Sequence, residues 1–287
     1  MVFLRFQGVV QRYHKFIYRN STNYPYISGD SFKALADFVY KKELGFEYSE
    51  KTKESFGVVF CKSEDLEQFS AELPKKFKPK ILIVGNGDRD FENSNISFPL
   101  SVSTVLLQNS HISDNKYVWT LPLGVENIRL GKNGLPKFLT SPLDFSKKKN
   151  KVLFGPFGDT HLSRRKLVLE KEQNDYFIYP EEFLSTKKYA KTVQGVKWVA
   201  CPRGNGTDTH RLWETLYRGS IPIVKESQWS NSLRWLDMPM LIVSELKEDQ
   251  ITKQTSKKKI VTARNPKTIP SLWMPFWIDF INNRLNS

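Results

Sequence analysis

The strongest constraint on the fold is a run of strand, loop, helix and strand signals within residues 196–224. The apolar residues 196–200 are followed by Pro202 and two glycines, which is typical of a buried strand in a parallel sheet. A second apolar run begins at Ile221, directly after the helical stretch. The segment therefore predicts most of a βαβ unit, whose ligand end is the loop after its first strand.

The helix of this unit has start and stop signals. Asp208 is a good N-cap, residues 209–218 contain no helix breaker, and Gly219 stands where a left-handed C-cap is expected. The loop at residues 203–208 therefore leads into the N-terminus of a helix, where backbone N–H groups are free to bind an anion.

Charged residues in this loop and helix predict a site for an activated sugar. Arg203 and Arg211 place two guanidinium groups beside free helical N–H groups, which suits a diphosphate. Glu214 can accept hydrogen bonds from both hydroxyls of a ribose. The same spacing also allows Glu214 to pair with Arg211 or His210 on a solvated helix face. The other donor-site candidates are the loop residues Gly204, Asn205, Gly206, Thr207 and Asp208.

The run CPRGNGTDTHRLWETLYRGSIPIV at residues 201–224 resembles the C-terminal signature of exostosin-type glycosyltransferases. In that family a similar Cys-Pro-Arg-Gly loop, Arg-x-x-Glu helix and Gly-Ser/Cys-Ile-Pro strand bind a UDP-sugar. Shorter segments are similar to small exostosin-like transferases of microbes and large viruses: residues 27–32, 85–88, 121–126 and 154–161. The resemblance implies a GT-B architecture, an α/β fold in which two Rossmann-like domains with parallel sheets face a cleft. It also implies a donor site in the C-terminal half and an acceptor site mostly in the N-terminal half.

Chain length and patterning agree with two domains, because 287 residues with 39% apolar content can bury two cores. A change of composition at residues 140–150 predicts the linker. We expect an acceptor domain over 1–145, a nucleotide-sugar domain over 151–265 and a C-terminal helix over 266–287. The predicted strands are 25–28, 57–61, 81–84, 104–107 and 118–121, then 152–154, 175–179, 196–200, 221–224 and 240–243. An apolar stripe predicts a helix over 31–42.

The C-terminal segment 271–281 is aromatic and amphipathic, and it requires an apolar groove. By analogy with GT-B enzymes, we expect this helix to cross back onto the N-terminal domain, anchored by Trp273, Phe276, Trp277 and Phe280. The alternative is a helix that lies on a membrane surface, since Trp and Phe also suit a lipid interface.

The resemblance implies that an acceptor hydroxyl attacks the anomeric carbon of the UDP-sugar with inversion. Such a reaction requires a general base, and an aspartate after a strand of the N-terminal domain can supply it. Asp30 and Asp88 have that location, although Asp30 can equally cap a helix and Asp88 can stabilise a turn. Asp88-Arg-Asp90 resembles a metal-binding Asp-x-Asp motif, but it lies outside the predicted donor domain. We therefore expect no metal and no required cofactor.

Further candidates lie in other loops. His161 and Arg164 follow the predicted strand 152–154 and could reach the donor, although arginines in such places are more often solvated. On the acceptor side, the candidates at strand ends facing the cleft are Tyr26, Gln108 and Asn109, whose side chains suit sugar hydroxyls.

The formal charge of +14 can attract an anionic membrane face or phosphorylated substrates. No motif that interleaves basic and aromatic residues is present, so we expect no specific nucleic-acid partner. Cys61 and Cys201 both end apolar runs and are predicted to be buried thiols. With no apolar stretch of membrane-spanning length and no signal-peptide core, the expected location is cytoplasmic, with peripheral membrane association.

The favoured function is the transfer of a neutral sugar, xylose or galactose, from a UDP-sugar to an oligosaccharide or glycoconjugate acceptor. The alternative is a non-catalytic module on the same fold that binds a sugar nucleotide or a glycan.

Overall fold

Two five-stranded parallel sheets form the frame of the protein. The computed structural model describes residues 22–44, 57–75, 77–92, 96–112, 115–139, 144–169, 174–256 and 264–286. The first sheet consists, in spatial order, of β1 (Phe38–Val39), β2 (Val58–Lys62), β3 (Ile81–Gly85), β4 (Thr104–Gln108) and β5 (Val118–Leu121). The second consists of β6 (Lys149–Leu153), β7 (Phe177–Ile178), β8 (Val196–Ala200), β9 (Ile221–Lys225) and β10 (Leu241–Val243).

The two sheets differ in strand order. In the first sheet neighbours in space are also neighbours in sequence, whereas the second has the order β10-β9-β8-β6-β7. The order of the second sheet is that of a flavodoxin-like doubly wound domain, in which the direction of winding reverses between β6 and β8. Ligands of such sheets bind outside the carboxyl ends of the strands at the reversal.

Helices accompany both sheets. The α-helices are α1 (Gly29–Lys33), α2 (Leu66–Glu72), α3 (Leu162–Leu169), α4 (Thr186–Gly195), α5 (His210–Tyr217), α6 (Gln228–Ser232), α7 (Glu248–Thr255) and α8 (Met274–Asn286). Short 3₁₀ turns lie at Ser63–Asp65, Ile128–Leu130, Pro136–Phe138, Phe145–Lys147, Arg234–Leu236, Pro266–Thr268 and Pro270–Leu272.

One hydrophobic core joins the two sheets. It contains Phe60 and Ile83 of the first sheet, Val199 and Val224 of the second, and Trp213 of α5. Because parallel strands are covered on both faces, the central strands are near-continuous apolar runs, and β3 is buried along its whole length. Two further clusters fill the remaining faces of the sheets.

Helix α8 packs against both halves of the chain. The Trp277 ring lies 5.1 Å from the ring of Phe32 and 5.6 Å from that of Trp235. Phe280 lies 5.4 Å from Trp119 of β5. The aromatic face of this helix is therefore packed within the protein. No helix in the described part of the chain is long and apolar enough to cross a bilayer.

The prediction for residues 25–42 is wrong. The expected strand 25–28 is reduced to two isolated bridges, Tyr26 to Trp273 and Ser28 to Gly124. The expected helix 31–42 is replaced by α1, which ends at Lys33, and by β1. The apolar residues fit both periods, and pairing of β1 with β2 determines the outcome.

The predicted linker at 140–150 is also wrong in its second half. Residues 140–143 lie outside the described residues, and β6 already begins at Lys149. Lys148 is buried because its Nζ donates to the carbonyls of Gln194 and Arg218 and to Ser220 Oγ. Distant acceptors thus satisfy the N–H donors of Lys148, the residue directly before β6.

Both cysteines are buried and free, as predicted. Desolvation raises the pKa of the Cys201 thiol to about 12, and that of Cys61 is raised further. Such thiols are unreactive at neutral pH.

Candidate functional site

A cleft of about 760 Å³ lies at the carboxyl ends of the two sheets. One wall comes from loops that follow β2, β3 and β5, and the other from loops that follow β6 and β8 together with the start of α5. The second wall therefore coincides with the winding reversal between β6 and β8, where an open α/β sheet binds ligands.

The loop at residues 203–209 leads into α5, and its Asp208 is a buried carboxylate rather than the predicted N-cap. The N-cap of α5 is Thr209, so the assignment to Asp208 is one residue too early. Asp208 is 4% exposed and accepts hydrogen bonds from the Leu123 N–H and Trp213 Nε1, each at 2.8 Å. Burial raises its pKa to about 7, against these hydrogen bonds, which lower it.

Two guanidinium groups line the second wall. Arg211 donates to the carbonyls of Gly155 and Pro156 in the loop after β6. Arg164 donates through Nε to the Arg203 carbonyl at 2.6 Å and through Nη2 to the Pro202 carbonyl at 3.2 Å. Within the described residues, neither arginine forms a salt bridge with a carboxylate. Backbone carbonyls orient both groups but leave their charge unbalanced.

The two charges act on each other. Burial, followed by the positive charge of Arg211, lowers the pKa of Arg164 to about 10. Two partly desolvated cations at one end of a cleft are unfavourable without a counter-ion, so this part of the wall attracts an anion.

Glu214 lines the cleft but does not lie on a solvated helix face. It is 3% exposed, and its carboxylate lies 3.5 Å from Nη1 of Arg218, one turn later in α5. The predicted alternative, a surface pair with Arg211 or His210, is therefore wrong. His210 instead approaches the Gly124 carbonyl, 2.8 Å from its Nδ1. Residues 212–217 of α5 are all buried, and Glu214 is one of them.

Arg203 does not line the cleft. Its Nη2 donates to Asp90 Oδ2 at 2.7 Å and to the Asn205 carbonyl at 2.9 Å. Thr207, also outside the cleft wall, donates its N–H and its hydroxyl to Asp90 Oδ1 at 3.0 and 2.8 Å. These bonds attach the loop to the N-terminal half. Of the predicted donor-site residues Arg203 and Arg164, only Arg164 therefore lines the cleft.

The sequence analysis named Asp90 only as part of the Asp-x-Asp pattern at residues 88–90. Partial burial would raise its pKa, but hydrogen bonds from His111 and Thr207 and the charge of Arg203 hold it at about 2. Within the described residues, no group of three or more His, Cys, Asp or Glu side chains is placed to hold a metal ion. Asp90 is thus a structural anion that holds the loop.

Three predicted cleft residues support the fold instead. Tyr26 packs against Tyr217 and Trp273, with ring centroids 5.0 and 5.3 Å away. Gln108 accepts from the Asn86 N–H and donates to the Gly87 carbonyl. Asn109, whose φ is +54°, accepts from the Asp208 N–H at 2.8 Å. None of the three is among the residues that line the cleft, and their contact with sugar hydroxyls stays a prediction.

His161 also lies outside the cleft wall. Its Nδ1 accepts from the Ser163 N–H at 3.2 Å and lies 2.8 Å from Ser163 Oγ at the start of α3. Desolvation and the nearby charges of Arg203 and Arg164 lower its pKa, so it is the neutral imidazole that caps this turn.

Of the two candidate bases, Asp88 lines the cleft and Asp30 does not. Asp30 accepts from Arg129 Nε at 2.9 Å and from Asn86 Nδ2 at 3.2 Å. It does not cap α1, because the Ser28 hydroxyl accepts that bond. Asp88 is exposed and accepts from Asn205 Nδ2 at 3.2 Å across the cleft.

Seven of the predicted donor-site residues share the cleft wall with Asp88: Arg164, Gly204, Asn205, Gly206, Asp208, Arg211 and Glu214. Several wall residues were not predicted: Lys62, Glu64, Glu126, Asn127, Arg129, Lys132, Phe183 and Tyr189. Lys62 ends β2 and the others lie in loops or on helices, without a recognisable motif, and only the packing of the two halves brings them together.

No protein-family model matches the chain, and no curated protein sequence is significantly similar to it. The resemblance to exostosin-type transferases therefore stays a prediction, which rests on the run at residues 201–224 and on the four shorter segments named above.

Proposed function

We propose that the protein transfers a sugar from a UDP-sugar to a hydroxyl group of an oligosaccharide or glycoconjugate acceptor. The observation that carries this proposal is the pair of unbalanced guanidinium groups, Arg164 and Arg211, beside the N-terminus of α5 in the cleft. A diphosphate supplies the charge that this wall lacks. Two parallel sheets with a cleft at their carboxyl ends are compatible with a GT-B enzyme, and we include that architecture in the proposal.

Two glycines let the loop at residues 203–208 lie close to neighbouring side chains, among them Arg164. A Cβ on Gly204 would lie 3.2 Å from Arg164 Nη2, and a Cβ on Gly206 would lie 2.6 Å from Asn109 Nδ2. In this assignment the diphosphate binds Arg164, Arg211 and the loop amides. Glu214, a residue of the same wall, accepts hydrogen bonds from the ribose in this assignment.

The reaction we assign is a single displacement. Asp88 takes the proton of the acceptor hydroxyl while the hydroxyl oxygen forms a bond to the anomeric carbon. The bond from that carbon to the β-phosphate oxygen breaks, its electron pair leaves with UDP, and the sugar configuration inverts. Arg164 and Arg211 stabilise the charge that develops on the diphosphate. Asp88 is preferred to Asp30 because it is exposed to the cleft and carries no cationic partner among the described residues.

The donor we favour is a neutral UDP-sugar, xylose or galactose. The first test is calorimetry with UDP, GDP, CMP and a panel of UDP-sugars, with and without EDTA. We expect selective binding of UDP-sugars that persists in EDTA. Arg211→Ala should weaken UDP binding about tenfold to hundredfold, the loss of one or two charge-assisted hydrogen bonds.

Lys247→Ala is the matched control, because replacing this exposed lysine also removes one positive charge, but outside the cleft. Circular dichroism of Arg211→Ala excludes misfolding as the cause. Binding of no nucleotide would refute the proposal. UDP binding with neither transfer nor slow hydrolysis would instead favour the non-catalytic binding module.

A further inference from the structure

A second pocket, of about 450 Å³, shares no wall residue with the cleft. Its wall consists of Lys137, Phe138, Lys187, Ala190, Lys191, Gln194 and Arg218, and we call it the lysine pocket. Residues 187, 190, 191 and 194 recur at the spacing of one helix face, so α4 forms one side. The turn Pro136–Phe138 and the end of α5 form the other.

The wall of the lysine pocket is strongly cationic. Four of its seven residues are Lys or Arg, and none is acidic. Arg218 pairs with Glu214 at 3.5 Å, but among the described residues no carboxylate forms a salt bridge with Lys137, Lys187 or Lys191. Lysines of like charge around one concavity repel each other, and a bound anion removes that repulsion.

Arg218 is the buried cation of this wall, only 2% exposed. Its Nε donates to the Phe138 carbonyl at 3.1 Å, and its Nη1 donates to the Glu214 carbonyl at 3.0 Å. Its Nη2 is buried and has no hydrogen-bond partner among the described residues. Buried guanidinium N–H groups are normally paired, so this nitrogen calls for an acceptor.

We propose that the lysine pocket binds the phosphate group of a phosphomonoester ligand. A phosphate carries nearly two negative charges and several acceptor oxygens, which matches three ammonium groups and one guanidinium with an unused donor. The volume exceeds that of a phosphate and lies within the range of small-molecule sites. Phe138 and Ala190 supply apolar wall for the group that carries the phosphate. The proposal does not depend on what the cleft binds.

The test is site-resolved labelling of lysines in the intact protein. Reductive methylation followed by peptide mass spectrometry measures the reaction rate at each lysine, with inorganic phosphate or with sodium chloride at equal ionic strength. We expect phosphate to slow labelling of Lys137, Lys187 and Lys191 about tenfold at about ten times its Kd. Lys247 and Lys253, exposed lysines outside every described pocket, are the internal controls.

A double variant separates a built site from general screening. In Lys187→Ala/Lys191→Ala, phosphate should no longer protect Lys137, whereas in Lys247→Ala/Lys253→Ala the protection should remain. All four positions are exposed, so both variants are expected to fold. Equal slowing of pocket and control lysines, or protection of Lys137 that persists in the first variant, would overturn the proposal.

A third arm identifies the source of the phosphate. Vesicles of phosphatidylcholine with phosphatidic acid replace inorganic phosphate in the same experiment. Protection by free phosphate assigns a soluble ligand, and protection by these vesicles alone assigns a lipid headgroup. The absence of protection in both arms refutes the site, whatever the calorimetry of the cleft shows.

Discussion

Asp90 accepts a hydrogen bond from Arg203 at 2.7 Å and thereby joins the N-terminal half to the loop that precedes α5. The same carboxylate accepts the N–H and the hydroxyl of Thr207. Asn109 and the Leu123 N–H bind Asp208 in the same loop. Both halves of the chain therefore hold the loop that precedes α5 in place.

Replacing Asp90 by Asn should destabilise the protein by about 1–3 kcal/mol, the usual loss for hydrogen bonds to a charged group. Urea unfolding at pH 7 measures this loss, with the exposed Asp175→Asn as a control. The pKa of Asp90 is held at about 2, below its usual 3.8. Its contribution is therefore complete above about pH 4 and declines as the pH falls toward 2. An unchanged unfolding free energy would show that the ion pair contributes nothing.

Asp88→Asn should retain UDP binding and lose turnover by about 10²–10⁴-fold, because an amide cannot take the acceptor proton. Asp30→Asn should retain most activity, since Asp30 does not line the cleft and its carboxylate is paired with Arg129. Both variants are measured by calorimetry for UDP and by the transfer rate. The reverse pattern, with Asp30 essential and Asp88 dispensable, would assign the base to Asp30.

Asp208 should make the protein less stable as the pH rises from about 4 to about 7. Burial raises its pKa to about 7, so the folded state binds a proton that the unfolded state releases at lower pH. Asp208→Asn should flatten the dependence of unfolding free energy on pH in this range. Urea unfolding at several pH values measures the slope, which Asp175→Asn should leave unchanged. An equal slope in Asp208→Asn and the parent protein would contradict this assignment.

Trp277→Ala should destabilise the protein by about 3–5 kcal/mol, the usual cost of truncating a buried Trp. Trp277 is fully buried between Phe32 and Trp235, so its loss separates α8 from both halves. Leu100→Ala is the control, because Leu100 is fully exposed. A loss as small as that of the control, accompanied by release from lipid vesicles, would support the membrane-surface alternative.

The central strands could be predicted because their signal is local. β2, β3, β4, β8 and β9 are near-continuous apolar runs, which is the composition of strands covered on both faces. The helix predicted over residues 31–42 was wrong because Phe38 and Val39 fit the apolar pattern of a helix and of a strand equally well. Pairing with Val59 and Phe60, about twenty positions later in the chain, determined the outcome.

The candidate site divides in the same way. The sequence by itself determined that a loop with two glycines leads into a helix carrying Arg211 and Glu214, since caps, glycines and helical spacing act over a few residues. Only the tertiary structure decided which charges remain available. Arg203 is paired with Asp90, 113 positions away, while Arg164 enters the cleft in its place. Ion pairs between distant residues depend on how the two sheets pack, and no local pattern records that packing.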